Sequence, residues 1–247
     1  MGAVELILIR HGESEGNAAA SAAQAAGLEV IDVKYRDADV PLSEIGIMQA
    51  KALGQWLDQG LGRQDAGLRP DTVWCSPYLR ARQTAELAGL DPSGLRIDER
   101  LRDRELGILD TLTAFGVEAR YPLEARRRRW LGKFYYRPPG GESWADVVLR
   151  LRSLLMDLDR VDDGRRVALV CHDAVIWLLR YICENLDEAT LLDLAAASVV
   201  RNGSLTRLVR PSGEGPWTLA AFNDVTHLEA GGVPVTQHGG DTNVHPR

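Results

Sequence analysis

Three short stretches of the chain group histidine and arginine in a way that suits binding of an anion such as phosphate. In Ile9-Arg10-His11-Gly12-Glu13-Ser14-Glu15-Gly16-Asn17, an arginine and a histidine stand side by side, followed by a glycine that permits close backbone approach and then by Asn17. A lone histidine often serves structure alone, but this grouping is a candidate anion cradle. In Cys75-Ser76-Pro77-Tyr78-Leu79-Arg80-Ala81-Arg82-Gln83-Thr84-Ala85, Arg80 falls where its planar fork can take a phosphate in bidentate fashion. Arg82 reads as a helix-surface residue. The third stretch, Leu169-Val170-Cys171-His172-Asp173-Ala174, puts a second histidine ahead of an apolar helix.

Each stretch follows a segment that reads as a strand. Residues 4–9 and 167–170 are continuous apolar runs, the pattern of strands buried on both faces, and shorter β-like pieces lie at 72–74, 95–97, 205–209 and 218–222. Helical patterns between several of them predict a three-layer α/β fold: a mainly parallel sheet with helices on both faces. The far-edge strands within 205–222 are expected to run antiparallel. In such sheets ligands collect at the carboxyl ends of strands, so the two histidines and two arginines converge only if their strands are neighbours. Two helices are well signalled. One follows the N-cap Ser43 and carries Ile45, Met48, Ala52, Leu53 and Trp56 up to Gly60; the other opens on Ser143 with Asp146 three residues later and carries Val147, Val148, Leu151, Leu154, Leu155 and Leu158. Both stripes are core.

The chain has 247 residues, 45% hydrophobic and 26% charged, with 29 Lys+Arg against 35 Asp+Glu for a net charge of −6. That length buries enough surface to fold without staples. Cys75, Cys171 and Cys183 form no C-x-x-C pair, which suits a reducing, cytoplasmic compartment. The amino-terminal residues lack a signal-peptide pattern and no apolar run approaches a membrane span, so no membrane association is expected. The acidic balance argues against a nucleic-acid partner.

Two segments read as irregular: residues 18–35, and residues 109–141, an insertion long enough to act as a lid. The four arginines at 126–129 either pair with Glu118 and Glu124 on a polar helix face or reach a polyanionic substrate. Residues 1–225 form the expected domain. Residues 226–247 read as a loosely attached tail whose His227, His238 and His245 are solvated rather than metal ligands, because no spacing brings them together.

The ordered set R-H-G-x-S-x-x-N, S-P-x-x-R-A-x-Q-T-A and a strand ending in a histidine resembles the histidine phosphatase, or phosphoglycerate mutase-like, superfamily over most of residues 4–209. Further landmarks of the resemblance are Asp39-Val40-Pro41-Leu42-Ser43-Glu44-Ile45-Gly46 with Gln49-Ala50, Gly140-Gly141-Glu142-Ser143, and Asn202-Gly203-Ser204. By position the resemblance implies that His11 is the nucleophile and becomes a phosphohistidine, while Arg10, Asn17, Arg80 and His172 hold the phosphoryl oxygens. Phosphoryl transfer asks a protein mainly for positioning and charge stabilisation, which two guanidiniums and an imidazole supply. The resemblance implies no metal and no cofactor. The nucleophile must be neutral on its attacking nitrogen, so a backbone carbonyl is expected to orient the other one.

The leaving group needs a proton, and here the chain departs from the pattern. Where the resembling branch carries a glutamate in a segment like L-R-E-x-x-x-G, this chain reads Leu101-Arg102-Asp103-Arg104-Glu105-Leu106-Gly107. Asp103 is the first candidate acid, with one methylene less of reach. Asp173 competes, because another branch uses an aspartate directly after its second histidine; Glu142 and Glu105 are weaker candidates. Whichever acts must be protonated when substrate binds.

The expected activity is metal-independent hydrolysis of a phosphomonoester, with a small phosphorylated metabolite or a phosphoprotein as substrate. A cofactor-dependent phosphoglycerate mutase is the runner-up; it is disfavoured because Ala18-Ala19-Ala20-Ser21 and Asp103-Arg104-Glu105-Leu106-Gly107 replace the mutase segments. A catalytically weak phospho-ligand binder is the third reading, kept open by the aspartate at 103. A cysteine phosphatase fails on spacing, since Ala81 stands where its arginine belongs, and Gly60-Leu61-Gly62 does not complete a nucleotide-binding glycine motif. Substrate choice is expected to lie in residues 18–35 and 109–141.

Overall fold

The computed structural model describes residues 2–59, 69–90 and 94–238. Its centre is β1 (Glu5–Arg10), a strand of alternating allegiance: Leu6 and Leu8 enter one hydrophobic core, Ile7 and Ile9 the other. All six residues are buried, the reason the sequence reads as an unbroken apolar run rather than an alternating one. Around it, among the described residues, six strands form one sheet in the order β3-β2-β4-β1-β5-β6. The others are β2 (Thr72–Cys75), β3 (Arg96–Ile97), β4 (Arg166–Cys171), β5 (Leu205–Val209) and β6 (Thr218–Asp224). The β1, β2, β3 and β4 strands are parallel, whereas β5 runs antiparallel to β1 and β6 antiparallel to β5.

Helices cover both faces, giving the expected three layers. On one face, α2 (Glu44–Gln59) and α3 (Leu79–Leu87), which follow α1 (Glu15–Ala25) in the chain, pack Leu53, Leu57, Ala81 and Ala85 on Ile7, Ile9 and Val170. Ser43 precedes α2 as expected and accepts from the Gly46 amide; the expected end at Gly60 lies outside the described residues. Opposite, after α4 (Ala114–Arg120) and α5 (Pro122–Tyr135), come α6 (Trp144–Val161), α7 (Asp173–Cys183) and α8 (Glu188–Ala197). Ser143 and Asp146 form the capping box of α6, and its stripe of Val147, Leu151, Leu154 and Leu158 is fully buried, each leucine contributing about 1.5–3 kcal/mol.

Three segments differ from expectation. Residues 18–35 are helical as far as Ala25, because the alanines of α1 have high helix propensity but leave no apolar stripe to read. Residues 109–141 contain α4 and α5, started by Thr113 as N-cap and by Pro122 at the first turn. Their small core of Leu109, Val117, Ala125 and Tyr136 is too sparse to give a clear period. The C-terminal part is docked over residues 226–238 rather than loose: α9 (Thr226–Ala230) packs Leu228 on Ala52, and His227 and Leu228 are both buried. Among the described residues no helix is long and apolar enough to cross a membrane.

Candidate active site

The strand order decides the site. Because β4 pairs with β1 on one side and with β2 on the other, the carboxyl ends of all three strands lie side by side, with Arg10 opposite Cys171 and Cys75 opposite Val170. His11, Ser76 and His172 follow them directly. A cleft of about 350 Å³ opens there, and Arg10, His11, Asn17, Arg80, Asp103 and Asp173 all line it. His172 is fully buried behind it, its ring centroid 5.1 Å from that of His11.

Two partners fix the tautomer of His11. Nδ1 meets the Gly12 carbonyl at 2.6 Å, and a carbonyl only accepts, so Nδ1 carries the proton. Arg80 Nε donates to Nε2 at 3.3 Å, so Nε2 is the bare nitrogen. Burial, reinforced by the cations Arg80 and Arg10 and by His172, holds the His11 pKa well below its ordinary value. The arrangement thus presents a neutral imidazole lone pair. Arg80 itself is buried and bridges the site: Nη1 donates to the Asp37 carbonyl at 2.6 Å and pairs with its carboxylate at 2.9 Å, while Nη2 lies 3.4 Å from Asp103 Oδ2.

His172 has Nε2 at 2.8 Å from Ser76 Oγ, and its buried Nδ1 has no hydrogen-bond partner, with Asp103 Oδ2 at 3.5 Å. Arg10 is bound through Nη1 to the Val200 carbonyl while its buried Nε is likewise unsatisfied. The unsatisfied Arg10 Nε donor and the unpartnered His172 Nδ1, a donor in the tautomer whose Nε2 accepts from Ser76, form a receptacle for anionic oxygens beside the His11 lone pair. Burial pushes the Arg10 pKa down, so an arriving anion would also relieve an expensive cation.

The candidate acids separate by position. Asp103, beside Arg80 and His172, accepts from the Arg104 amide through Oδ1 and turns Oδ2 towards the site. Asp173 sits in the first turn of α7; its buried Oδ1 has no partner, and burial raises its pKa against the pull of Arg10 and Lys133. Glu142 is instead clamped by Arg102 and Arg150 and accepts from the Glu105 amide, while Glu105 accepts from the Tyr78 hydroxyl. Neither lines the cleft.

The loop carrying His11 is held from all sides. Thr84 Oγ1 accepts from the Gly12 amide, Gln83 Oε1 from the Leu42 amide and Gln49 Oε1 from the Glu13 amide. Asn17 Oδ1 closes the capping box of α1 with Ser14 and accepts from Asn202 Nδ2. The loop also passes so close to α2 that a Cβ on Gly46 would stand 1.9 Å from the Glu13 carbonyl oxygen. These contacts account for Leu42, Gly46, Gln49, Gln83, Thr84 and Asn202 among the landmark residues.

None of the arginines at 126–129 lines the cleft; Arg129 pairs with Glu118, and Glu124 accepts from the Tyr136 hydroxyl. Cys75 and Cys171 are fully buried, and burial pushes the Cys75 thiol up to about 12, which suits an inert core residue. The histidines of the C-terminal segment are not solvated: His227 is buried against Trp56, and His238 lines the cleft with Nε2 at 3.1 Å from Glu13 Oε2. His245 lies outside the described residues. His238, Lys133, Trp144 and Asp37 were not legible as site residues, since only the packing of distant segments brings them to the cleft.

A family model described as the histidine phosphatase superfamily, branch 1, matches residues 6–225. The chain belongs to that superfamily. Within the histidine phosphatases, it is 31% identical over 195 residues to a 2,3-bisphosphoglycerate-dependent phosphoglycerate mutase of Methylobacterium radiotolerans, covering 76% of this chain and 83% of that protein. It is 34% identical over 199 residues to a 6-phosphofructo-2-kinase/fructose-2,6-bisphosphatase of Caenorhabditis elegans, covering 79% of this chain but spanning only 38% of that relative's length. A solved mycobacterial glucosyl-3-phosphoglycerate phosphatase, in complex with inorganic phosphate, superposes with a TM-score of 0.68 at 27% identity, over 91% of this chain and 99% of that one. Histidine phosphatase relatives thus include phosphatases, a bisphosphatase and mutases, enzymes named for phosphorylated small molecules.

Proposed function

We propose that this chain is a cytoplasmic, metal-independent phosphatase that hydrolyses a small phosphomonoester through a phosphohistidine on His11. The observation that carries the reading is the His11 imidazole, protonated on Nδ1 towards Gly12 and bare on Nε2, facing a cleft lined by Arg10 and Arg80. Nε2 attacks phosphorus as the ester oxygen leaves. Arg10, Asn17, Arg80 and His172 hold the phosphoryl oxygens; Asp103 protonates the leaving alkoxide and then takes a proton from the water that releases phosphate. The contacts of Asp103 with Arg80 and His172 support that role, because they put its carboxyl beside the groups that grip the phosphate. Asp173 is the alternative acid, favoured by its unpartnered Oδ1 and by the burial that raises its pKa.

The mutase reading is favoured by the 83% coverage of a relative bearing that name. Against it stand two carboxyl groups, Asp37 and Asp110, on the cleft wall, acidic neighbours that make it an unfavourable place for a second phosphate.

The test is phosphate release from an aryl phosphate and a panel of alkyl phosphates with chelator present, beside 3-phosphoglycerate isomerisation in the presence of 2,3-bisphosphoglycerate. Turnover that survives chelation, disappears in His11→Ala and traps label on the wild-type protein as an acid-labile, base-stable phosphate is expected. Isomerisation much faster than hydrolysis would replace the phosphatase with the mutase.

A further inference from the structure

We propose that residues 233–238 form a positioning strap of the active site, holding the nucleophile loop through Gln49, Asn202 and Glu13, with His238 as part of the cleft wall. The inference rests on the phosphate-binding reading of that cleft. It concerns residues beyond the matched span of 6–225.

Two fully buried amides link strap to loop. Gln49 accepts from the Glu13 amide through Oε1 at 2.9 Å, and its Nε2 donates to the Pro234 carbonyl at 2.9 Å and to Thr236 Oγ1 at 3.0 Å. Asn202 donates through Nδ2 to Asn17 Oδ1 at 3.2 Å and to the His11 carbonyl at 3.4 Å. Its other side faces the strap: the backbone amide donates to the Thr236 carbonyl at 3.0 Å, and Oδ1 accepts from the Thr236 hydroxyl at 3.3 Å. Each amide therefore has one end on the loop that carries His11 and Asn17 and the other on the strap. Without the strap, both would keep buried groups unsatisfied or rotate to satisfy them, and rotation would release the loop.

The third link is His238. Its Nε2 lies 3.1 Å from Glu13 Oε2, its Nδ1 meets the Ser21 hydroxyl on α1, and the ring lines the cleft. Glu13 is buried two residues after His11 and has its other oxygen bound by Ser43 Oγ at 2.7 Å. Removing the His238 donor would leave a buried carboxylate short of partners on the loop itself.

The test uses full-length His238→Ala, His238→Gln and the double variant Thr236→Val/His238→Ala. We would measure kcat and KM on an aryl phosphate, affinity for inorganic phosphate by calorimetry, and Tm. A misplacement of about 1 Å in such a loop costs on the order of 100-fold, so the double variant is expected to lose at least about tenfold in kcat and to bind phosphate several-fold more weakly while remaining folded. His238→Gln, whose amide can still donate to Glu13, is expected to recover most of what His238→Ala loses. Wild-type kcat and phosphate affinity in the double variant would overturn the proposal, as would equal impairment of the alanine and glutamine variants; this pair decides alone if the double variant unfolds. Wild-type protein that turns over no ester would sink the hydrolase reading only, since phosphate affinity still tests the strap.

Discussion

Arg80 Nε lies 3.3 Å from His11 Nε2, a cation aimed at the one imidazole nitrogen that carries no proton. The contact disfavours the imidazolium and holds the lone pair in place, so in the proposed mechanism one guanidinium would both meet the substrate's oxygens and keep the nucleophile ready.

Arg80→Ala is expected to lower kcat/KM by about 10- to 100-fold, the value of a charge-assisted hydrogen bond of roughly 1.5–3 kcal/mol. It should also move the pH profile. Protonated His11 cannot attack, and its pKa is held well below the usual 6.5, so wild-type kcat/KM should gain no acid limb from His11 near pH 6.5. Loss of the nearby cation raises that pKa, and the acid limb should shift to higher pH. Stopped assays from pH 4.5 to 8 check both, and an unchanged rate would remove Arg80 from the chemistry.

Asp103→Asn and Asp173→Asn separate the two acids. If Asp103 protonates the leaving group, its variant loses far more activity on an alkyl phosphate than on an activated aryl phosphate, whose leaving group departs without help. Brønsted plots over a series of leaving groups give the answer directly. The same selective loss in Asp173→Asn alone would transfer the role.

Gly46→Ala is expected to be costly although it lies outside the cleft lining. Its Cβ would meet the Glu13 carbonyl oxygen at 1.9 Å, backbone against backbone, so the loop or α2 must shift. Overpacking of this kind costs about 1–3 kcal/mol. A lower denaturation midpoint together with reduced kcat is the expected pair of results, and wild-type values for both would contradict the close approach.

His227 makes stability depend on pH. Burial lowers its pKa to about 4, against 6.5 for an exposed imidazole, so between those values the unfolded chain binds a proton that the folded chain refuses. Its contribution is complete above pH 6.5 and declines as pH falls towards 4, by up to about 1.4 kcal/mol per pH unit. Urea unfolding of His227→Gln across this range should show a shallower fall than wild type. Parallel curves would place His227 in solvent.

The local units are legible in the sequence: strands buried on both faces announced by unbroken apolar runs, the caps Ser43 and Ser143, and the spacing from Arg10 to Asn17 and from Ser76 to Thr84 that carries the family resemblance. These are short-range patterns, set by backbone periodicity and by side chains that reach only a few residues. Beyond the polar face at 126–129, residues 15–25 and 114–135 carry little helical signal, because alanine- and arginine-rich surfaces lack an apolar period. Tertiary structure decided the rest. Only the order β2-β4-β1 brings His172, Arg80 and His11 together, and only long-range packing separates Asp103 and Asp173 from Glu142 and Glu105. The docking of His238 on Glu13, 225 positions away, had no sequence signal at all, because a polar segment shows its partners only when buried amides such as Gln49 and Asn202 must be satisfied.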